Sequence, residues 1–277
     1  MTVDPKGAQA PVAFRTFEIS DARFAHEHLH WVTVKSAALQ GRADITLHLP
    51  PQIEGLVDVP VVILLHGVYG SHWAWALKGA AHRTAQQMIE AGELPPLVLA
   101  MPSDGLWGDG SGYLPHRGQD FERWIVDEVP AATARATPAV SGRSRVCIAG
   151  LSMGGFGALR LAGKFPERFA AAAAHSAITD FEQMKLFVEE RLASYMALDE
   201  DRSVLRTLLA NRHRLPPLRF DCGTSDLLIA ENRALHAALE EQGVPHTYEE
   251  HPGGHEWPYW ETHLRDTLRF FGERLWA

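Results

Sequence analysis

The sequence predicts an α/β fold, with a mostly parallel central sheet covered by helices on both faces. Short continuous apolar runs at 59–65, 97–101 and 145–149 are typical of strands that are buried on both sides. Helix-like segments separate these runs, and alternating strands and helices predict parallel neighbours in the sheet. The 277 residues show no internal repeat or linker, so a single domain over 1–277 is expected.

The beginning of the chain predicts an antiparallel hairpin in front of this parallel sheet. Residues 26–35 and 43–49 alternate between apolar and polar side chains, as half-buried strands do. Residues 40–42 lie between the two runs and have the composition of a turn. Residues 1–13 are polar, contain Pro and Gly, and are expected to form a loose tail.

From residue 59 onward, predicted strands alternate with predicted helices. The strands are 59–65, 97–101, 145–149, 169–175, 218–222 and 246–250, and the helices are 75–91, 120–129, 155–162, 232–242 and 258–275. Pro130 marks the end of the second helix or a kink in it. Residues 178–214 are more polar and lack a strand pattern, and we interpret them as a small helical cap inserted over the site. The loops that carry candidate functional residues each follow a predicted strand. In open α/β sheets, binding and catalytic sites lie at the carboxyl ends of the strands.

Composition and charge narrow the classes of partner. The chain is 46% hydrophobic with a net charge of −8 and has no basic stripe, which argues against nucleic acid and anionic membranes as partners. No apolar run reaches the ~18–20 residues of a membrane span, and the first residues lack a signal-peptide pattern, so a cytoplasmic location is expected. Cys147 and Cys222 fall in predicted buried strands and are interpreted as core residues. The sequence predicts no particular oligomeric state.

A tight turn around Ser152 is the strongest functional signal. The segment Gly150-Leu151-Ser152-Met153-Gly154 fits the pattern G-x-S-x-G and lies between a predicted strand and a predicted helix. In that context the pattern predicts a nucleophile elbow, which holds the serine in a strained backbone conformation at the sheet edge. The hydroxyl would lie at the N-terminus of the helix, whose N–H groups stabilise negative charge.

A nucleophilic serine needs a base to take its proton, and the base needs an acid to orient it. In this architecture the order along the chain is serine, acid, histidine. Asp226 and His255 follow Ser152 in that order, each on a loop that comes directly after a predicted strand. The sequence therefore predicts a catalytic set of Ser152, Asp226 and His255.

Three nearby residues compete for these roles. Asp221 lies inside a predicted strand and Glu231 starts the next predicted helix, so both are weaker acid candidates. His251 lies at a strand end and is the rival base. The glycines at 253–254 would let the loop bend back over the sheet, which favours His255.

The chemistry also requires two N–H donors for the developing oxyanion. One donor is predicted to be the N–H of Met153, directly after the nucleophile. The second is expected from the loop 66–70, where Gly67 permits a close backbone approach and Val68 or Tyr69 would donate.

Several side chains could line a substrate pocket, which is typically apolar with few polar groups. Trp257, two residues from His255, is the first candidate, and Tyr69 and Ser176 are also expected at the site. Further aromatic candidates on or near the same loops are Trp73, Trp75, Trp107 and Tyr113.

Together these motifs resemble the putative esterase (esterase D-like) family of α/β-hydrolases, from about residue 30 to the C-terminus. The matching segments are Leu64-Leu65-His66-Gly67 with Trp73 and Trp75, Gly150-Leu151-Ser152-Met153-Gly154-Gly155, Gly223-Thr224-Ser225-Asp226, and Gly254-His255-Glu256-Trp257 with Trp260. The resemblance implies an α/β-hydrolase fold and hydrolysis of carboxylic esters or thioesters through an acyl-enzyme. The loop at 66–70 lacks the Cys that we associate with S-formylglutathione hydrolases in this family.

The sequence thus predicts a serine carboxylesterase that hydrolyses small or short-chain esters. A thioesterase or acyltransferase with the same catalytic set, or an inert binding protein with this fold, remain alternatives. No cofactor is expected. The histidines at 26, 28 and 30 share a strand face but no carboxylate or Cys pattern completes a metal site. His251 and His255 are also not expected to bind metal, because Pro252 forbids the helix that their spacing would need.

Overall fold

The computed structural model describes residues 12, 14–116, 118–195 and 198–275. Within these residues the strands form one nine-stranded sheet in the order β1-β2-β3-β5-β4-β6-β7-β8-β9. The strands are β1 Phe17–Ile19, β2 Leu29–Ser36, β3 Gly41–His48, β4 Val61–Leu65, β5 Val98–Pro102, β6 Val146–Leu151, β7 Ala171–His175, β8 Leu218–Gly223 and β9 Thr247–His251. Strands β1, β2 and β3 pair antiparallel at one edge, and β3 is also antiparallel to β5. From β5 onward the six strands β5, β4, β6, β7, β8 and β9 are parallel to one another. The prediction of a mostly parallel sheet is confirmed.

Helices cover both faces of the sheet. They are α1 Ala74–Leu77, α2 Ala81–Glu90, α3 Phe121–Arg123, α4 Val129–Ala136, α5 Met153–Lys164, α6 Val204–Ala210, α7 Ile229–Glu241 and α8 Trp257–Leu275. Alternate residues of each central strand enter different cores, since side chains along a strand point to opposite faces. In β4, Val61 and Ile63 pack in the core with Phe156 of α5, whereas Val62 and Leu64 pack in the core with Leu264 of α8. This double burial explains why the strands are continuous apolar runs.

Two predicted helices have a different form in the structure. The predicted helix 75–91 is split into α1 and α2 by Ala80, whose φ of 46° interrupts helical geometry. The predicted helix 120–129 does not stop at Pro130. A π turn at Trp124–Glu128 joins α3 to α4 without a break, and Pro130 lies directly after it. The wider π turn accommodates a proline, which has no N–H and whose ring would clash with the carbonyl one turn earlier in a regular α-helix.

The structure confirms the predicted antiparallel hairpin and the buried positions of the two cysteines, although the bounds of the hairpin differ. Strand β3 begins at Gly41, so the turn lies two to three residues earlier than predicted, at 37–40. The loose tail predicted for 1–13 lies almost entirely outside the described residues. Cys147 and Cys222 are buried and free. None of the helices in the described ranges has the length and apolarity that a bilayer crossing requires.

In its described residues, the predicted cap segment 178–214 consists of three short helical turns and one α-helix. The turns are Phe181–Leu186, Leu192–Tyr195 and Asp199–Asp201, followed by α6. Leu208 of α6 packs in the same core as α5, where Gly163 of α5 approaches the backbone of Thr207. The segment is thus tied to the helix that follows Ser152.

Gly154 is required by sterics, because a Cβ built there would overlap the main-chain carbonyl of Leu65 in β4. We expect Gly154→Ala to lower the free energy of unfolding by roughly 3 kcal/mol, although alanine is the better helix former. Urea denaturation measures this change. Gly142→Ala is the control, because a Cβ at Gly142 would meet no atom within 4 Å. Equal stability of the two variants would contradict the steric argument.

Candidate active site

Ser152 occupies a sharp turn between β6 and α5. Its φ of 54° and ψ of −118° lie outside the regions that L-residues prefer, which is the strain expected of a nucleophile elbow. Its N–H donates to the carbonyl of His175 over 2.9 Å, which fixes the turn to the neighbouring strand β7. The two sides of the turn approach so closely that a Cβ at Gly150 would overlap the backbone of Gly154, so glycine is required at 150.

The loops after β8 and β9 bring an acid and a histidine to this turn. His255 Nε2 lies 2.9 Å from Ser152 Oγ, and His255 Nδ1 lies 3.0 Å from both carboxylate oxygens of Asp226. The two loops are joined by the N–H of Ser225, which donates to the carbonyl of Gly253 over 2.9 Å. A Cβ at Gly223 would overlap that same carbonyl, so glycine permits the junction.

The Asp226 carboxylate is held in its ionised form. Burial opposes the charge, but the hydrogen bond and charge of His255 outweigh it and lower the pKa of Asp226 below its usual value. The N–H of Leu228 adds a hydrogen bond of 2.8 Å to Oδ1, and the nearby Ser176 hydroxyl also lowers the pKa. The carboxylate can therefore accept the Nδ1–H of His255 and leave Nε2 facing the serine.

Asp221, the rival acid, belongs to a separate buried network. Its carboxylate contacts His175 Nδ1 at 2.9 Å, accepts the Tyr259 hydroxyl at 2.9 Å and forms an ion pair with Arg219. Burial opposes the charge of Asp221, but His175 and Arg219 lower its pKa far below the usual value. His175 also contacts Thr267 of α8 at 3.1 Å. This network fastens β7, β8 and α8 together beneath the turn.

The other two competitors also lie outside the chain of hydrogen bonds to Ser152. His251 stacks on His263 of α8 with ring centroids 4.1 Å apart. Glu231 lies in the first turn of α7, as the sequence predicts.

Two backbone N–H groups next to Ser152 are open to a ligand. Met153 is the first residue of α5, where an N–H has no partner within the helix. A Cβ at Gly67 would lie 3.3 Å from the Cβ of Ser152, so the loop 66–70 approaches the nucleophile closely. Among the described residues no acceptor takes the N–H of Val68 or of Met153, whereas the N–H of Tyr69 donates to the carbonyl of Asp109 over 2.8 Å. Of the two loop donors considered from the sequence, Val68 is the available one.

A cavity of about 540 Å³ opens beside Ser152. Trp257 and Tyr69 line it, as the sequence predicts, and so does Trp73. The placement expected for Ser176 is wrong: it is fully buried, accepts the Trp260 Nε1–H at 3.1 Å and lies behind Asp226. Ser176 follows β7 directly with a φ of 47°, and it is not among the residues that line the cavity.

The remaining aromatic candidates support the loops rather than line the cavity. Trp75 Nε1–H donates to the carbonyl of Leu65 at 2.9 Å, and the Tyr113 hydroxyl donates to that of His66 at 3.0 Å. Both bonds hold the entry to the loop 66–70. Trp107 packs against Tyr195 with ring centroids 4.8 Å apart.

Phe187 is a cavity residue that the sequence did not reveal. It comes from the predicted cap segment, and its ring stacks on that of His255 with centroids 5.3 Å apart. Asp109 holds this part of the segment in place by accepting the N–H of Glu189 at 2.7 Å. No motif marks Phe187, because its position depends on contacts between segments that are distant in the sequence.

The sheet order, the strained serine and the hydrogen-bonded histidine define an α/β hydrolase. The family model described as "Putative esterase" matches residues 36–271, so the chain belongs to the putative esterase family. Members of this family hydrolyse carboxylic esters, and the protein is a hydrolase of that class.

Individual relatives agree with the family. An acetyl esterase of Caldicellulosiruptor saccharolyticus is 26% identical over 78% of this chain and 84% of its own length. An S-formylglutathione hydrolase of Paracoccus denitrificans is 27% identical over 83% and 87%, respectively. The solved structure of an S-formylglutathione hydrolase from Agrobacterium tumefaciens superposes with a TM-score of 0.77 at 21% identity, over 95% of this chain and all of that one, and shows the same fold.

The buried network around Asp221 predicts a large stability effect. We expect Asp221→Asn to lower the free energy of unfolding by about 3 kcal/mol, because Arg219 would keep a buried charge without its main partner. Chemical denaturation checks this value. Asp199→Asn, at an exposed position, is the control and should change stability by less than about 0.5 kcal/mol. An unchanged midpoint for Asp221→Asn would refute the structural role.

Proposed function

We propose that the protein is a serine esterase that cleaves small carboxylic esters through an acyl-enzyme formed on Ser152. One observation carries this proposal: a continuous series of hydrogen bonds runs from Asp226 through His255 to Ser152 Oγ, at distances of 2.9 and 3.0 Å. A serine hydroxyl becomes a useful nucleophile only with such an adjacent base.

Acylation would begin with proton transfer from Ser152 Oγ to His255 Nε2 as the oxygen attacks the ester carbonyl. The carbonyl oxygen gains negative charge and would be held by the N–H groups of Val68 and Met153. Preorganised donors of this kind contribute about 10²–10³ in turnover each. Asp226 would keep the His255 tautomer that leaves Nε2 free to accept, and would stabilise the imidazolium that forms.

The second half of the reaction would reuse the same groups. His255 donates its proton to the departing alcohol oxygen, and the C–O bond of the substrate breaks. A water then enters, gives a proton to His255 and attacks the acyl carbon on Ser152. Collapse of the second intermediate returns the proton to Ser152 Oγ and releases the acid.

The cavity supports small, apolar acyl or alcohol groups. Its walls combine the indoles of Trp73 and Trp257 with Phe187, and its volume of about 540 Å³ is modest for a ligand site. We therefore propose short-chain esters, such as acetyl esters, as substrates. Phe187 would limit the space beside His255, which gives the predicted cap segment a role in selecting the acyl chain.

Thioester hydrolysis and acyl transfer use the same acyl-enzyme and differ only in the group that leaves or accepts. Both stay predictions, as do the cytoplasmic location, the absence of nucleic-acid and membrane partners, and the inert binding protein as the remaining alternative. Labelling with a fluorophosphonate separates the last from an enzyme, since only an activated serine reacts.

We expect Ser152→Ala to reduce the kcat for p-nitrophenyl acetate and butyrate by at least ~10⁴, because no nucleophile remains beside His255. Fluorophosphonate labelling should disappear as well. Ser225→Ala, on the neighbouring loop, is the control and should retain both signals. Persistent turnover in Ser152→Ala at unchanged thermal stability would contradict the proposed mechanism.

Phe187→Ala should shift the preference for acyl chain length. Removal of the ring opens space beside His255, so the ratio of kcat/KM for octanoate to that for acetate should rise about tenfold. This factor corresponds to the burial of about one or two additional methylene groups of the acyl chain. A series of p-nitrophenyl esters measures the shift. Leu186→Ala is the matched control, because the adjacent Leu186 is exposed and lies outside the cavity lining. If Phe187→Ala and Leu186→Ala showed the same dependence of kcat/KM on acyl chain length, Phe187 would have no role in substrate selection.

A further inference from the structure

We propose that His251, His263 and Asp266 form a binding site for a divalent transition-metal ion, separate from Ser152 and its partners. One ligand atom from each residue lies within 4.8 Å of the other two. His251 ends β9, whereas His263 and Asp266 lie three residues apart on α8 and therefore share one face of the helix.

An unpartnered nitrogen points to a ligand at this place. His251 Nε2 is buried, and no hydrogen-bond partner for it exists among the described residues. A buried polar atom without a hydrogen-bond partner is destabilising, and a bound water or ion is one way in which such an atom is satisfied. A metal ion would satisfy this nitrogen directly.

The distances fit a site that closes around its ion. Zinc–nitrogen bonds are about 2.0–2.1 Å, which places two ligands of a tetrahedral ion roughly 3.4 Å apart. The rings of His251 and His263 stack at 4.1 Å with an angle of 11° between planes. Because a metal ion lies in the plane of each imidazole that binds it, two parallel rings cannot share an ion, and at least one of the two imidazoles would have to rotate out of the stack when the ion binds.

Charge and exposure suit the ligand roles. Asp266 is 39% exposed, which offers an entry path. Arg269 bonds Asp266 Oδ1 at 3.0 Å and leaves Oδ2, 3.4 Å from His263 Nδ1, on the side of the rings.

Two imidazoles and one carboxylate define the class of ion. This donor set suits Zn²⁺, Co²⁺ or Ni²⁺ better than Ca²⁺ or Mg²⁺, which prefer all-oxygen ligands. A fourth position would be left to water.

The position of the site suggests its consequence. The ligands flank the loop that carries His255: His251 precedes it and His263 follows it along the chain. The carbonyl of His251 also accepts the N–H of Thr224 at 2.8 Å, on the loop that carries Asp226. A bound ion would therefore link β9, which precedes the His255 loop, to α8, which follows it. This link should raise the thermal stability of the protein.

The test is titration of tag-free, EDTA-treated protein with Zn²⁺ in a calorimeter and with Co²⁺ by visible absorption. We expect one ion per chain, an intense Co²⁺ spectrum with nitrogen ligands, and a higher Tm with Zn²⁺. His263→Gln and Asp266→Asn should each weaken binding by at least ~10-fold. Asp266→Asn keeps the side-chain shape and decides the matter if His263→Gln does not fold.

Two further variants locate the ion. His255→Gln should retain metal binding, because His255 is not a proposed ligand. Loss of binding in this variant would mean that the ion binds beside Ser152 and would overturn the proposal. His246→Gln should also retain binding, although His246 lies 2.8 Å from His236 in a second histidine pair. Absence of binding to the wild type at millimolar metal, or binding that both ligand variants leave unchanged, would equally overturn it.

Discussion

Main chain packs directly on main chain where β4, β6 and α5 meet, and the position of Ser152 follows from this contact. Side chains at Gly150 or Gly154 would overlap the backbone of α5 or of β4. Only with both glycines can the chain reverse within one residue at φ 54°. The strain at Ser152 is held because the strands and the helix around it are fully buried on both sides. A short turn on a rigid sheet therefore fixes the nucleophile.

Two aspartates five residues apart have different roles because one lies within a strand and the other lies on the loop after it. Asp221 lies within β8, in register with His175 of β7, so its charge is enclosed by neighbouring strands and by α8. Asp226 lies beyond the strand, where the loop can turn its carboxylate toward His255. The buried charge of Asp221 supports the sheet below the site, and that of Asp226 is available to a histidine that contacts the cavity.

Local patterns predicted much of the fold and of the site. Continuous apolar runs identified the parallel strands, and the spacing of Ser152, Asp226 and His255 predicted residues that the structure brings into hydrogen-bond contact. Features that depend on contacts distant in sequence were missed or misplaced. The break at Ala80 follows Gly79, which packs against Trp257; a single glycine weakens a helix but does not by itself specify a break. Ser176 has the expected position along the chain, but its direction depends on Trp260 of α8.

The same reasoning explains why histidine-rich sequence is a poor guide to metal sites in this chain. Alternation predicted that histidines 26, 28 and 30 share a strand face, but β2 begins at Leu29 and His28 lies in the preceding turn with a φ of 61°. Pro252 excluded a helical pair of His251 with His255. The cluster that does assemble combines the end of β9 with a residue pair on α8, and the two elements are adjacent only because α8 folds back on the sheet after the His255 loop. That return also places Tyr259 on Asp221 and Trp260 on Ser176. One helix thus couples the proposed ion, the buried network and the loop of His255.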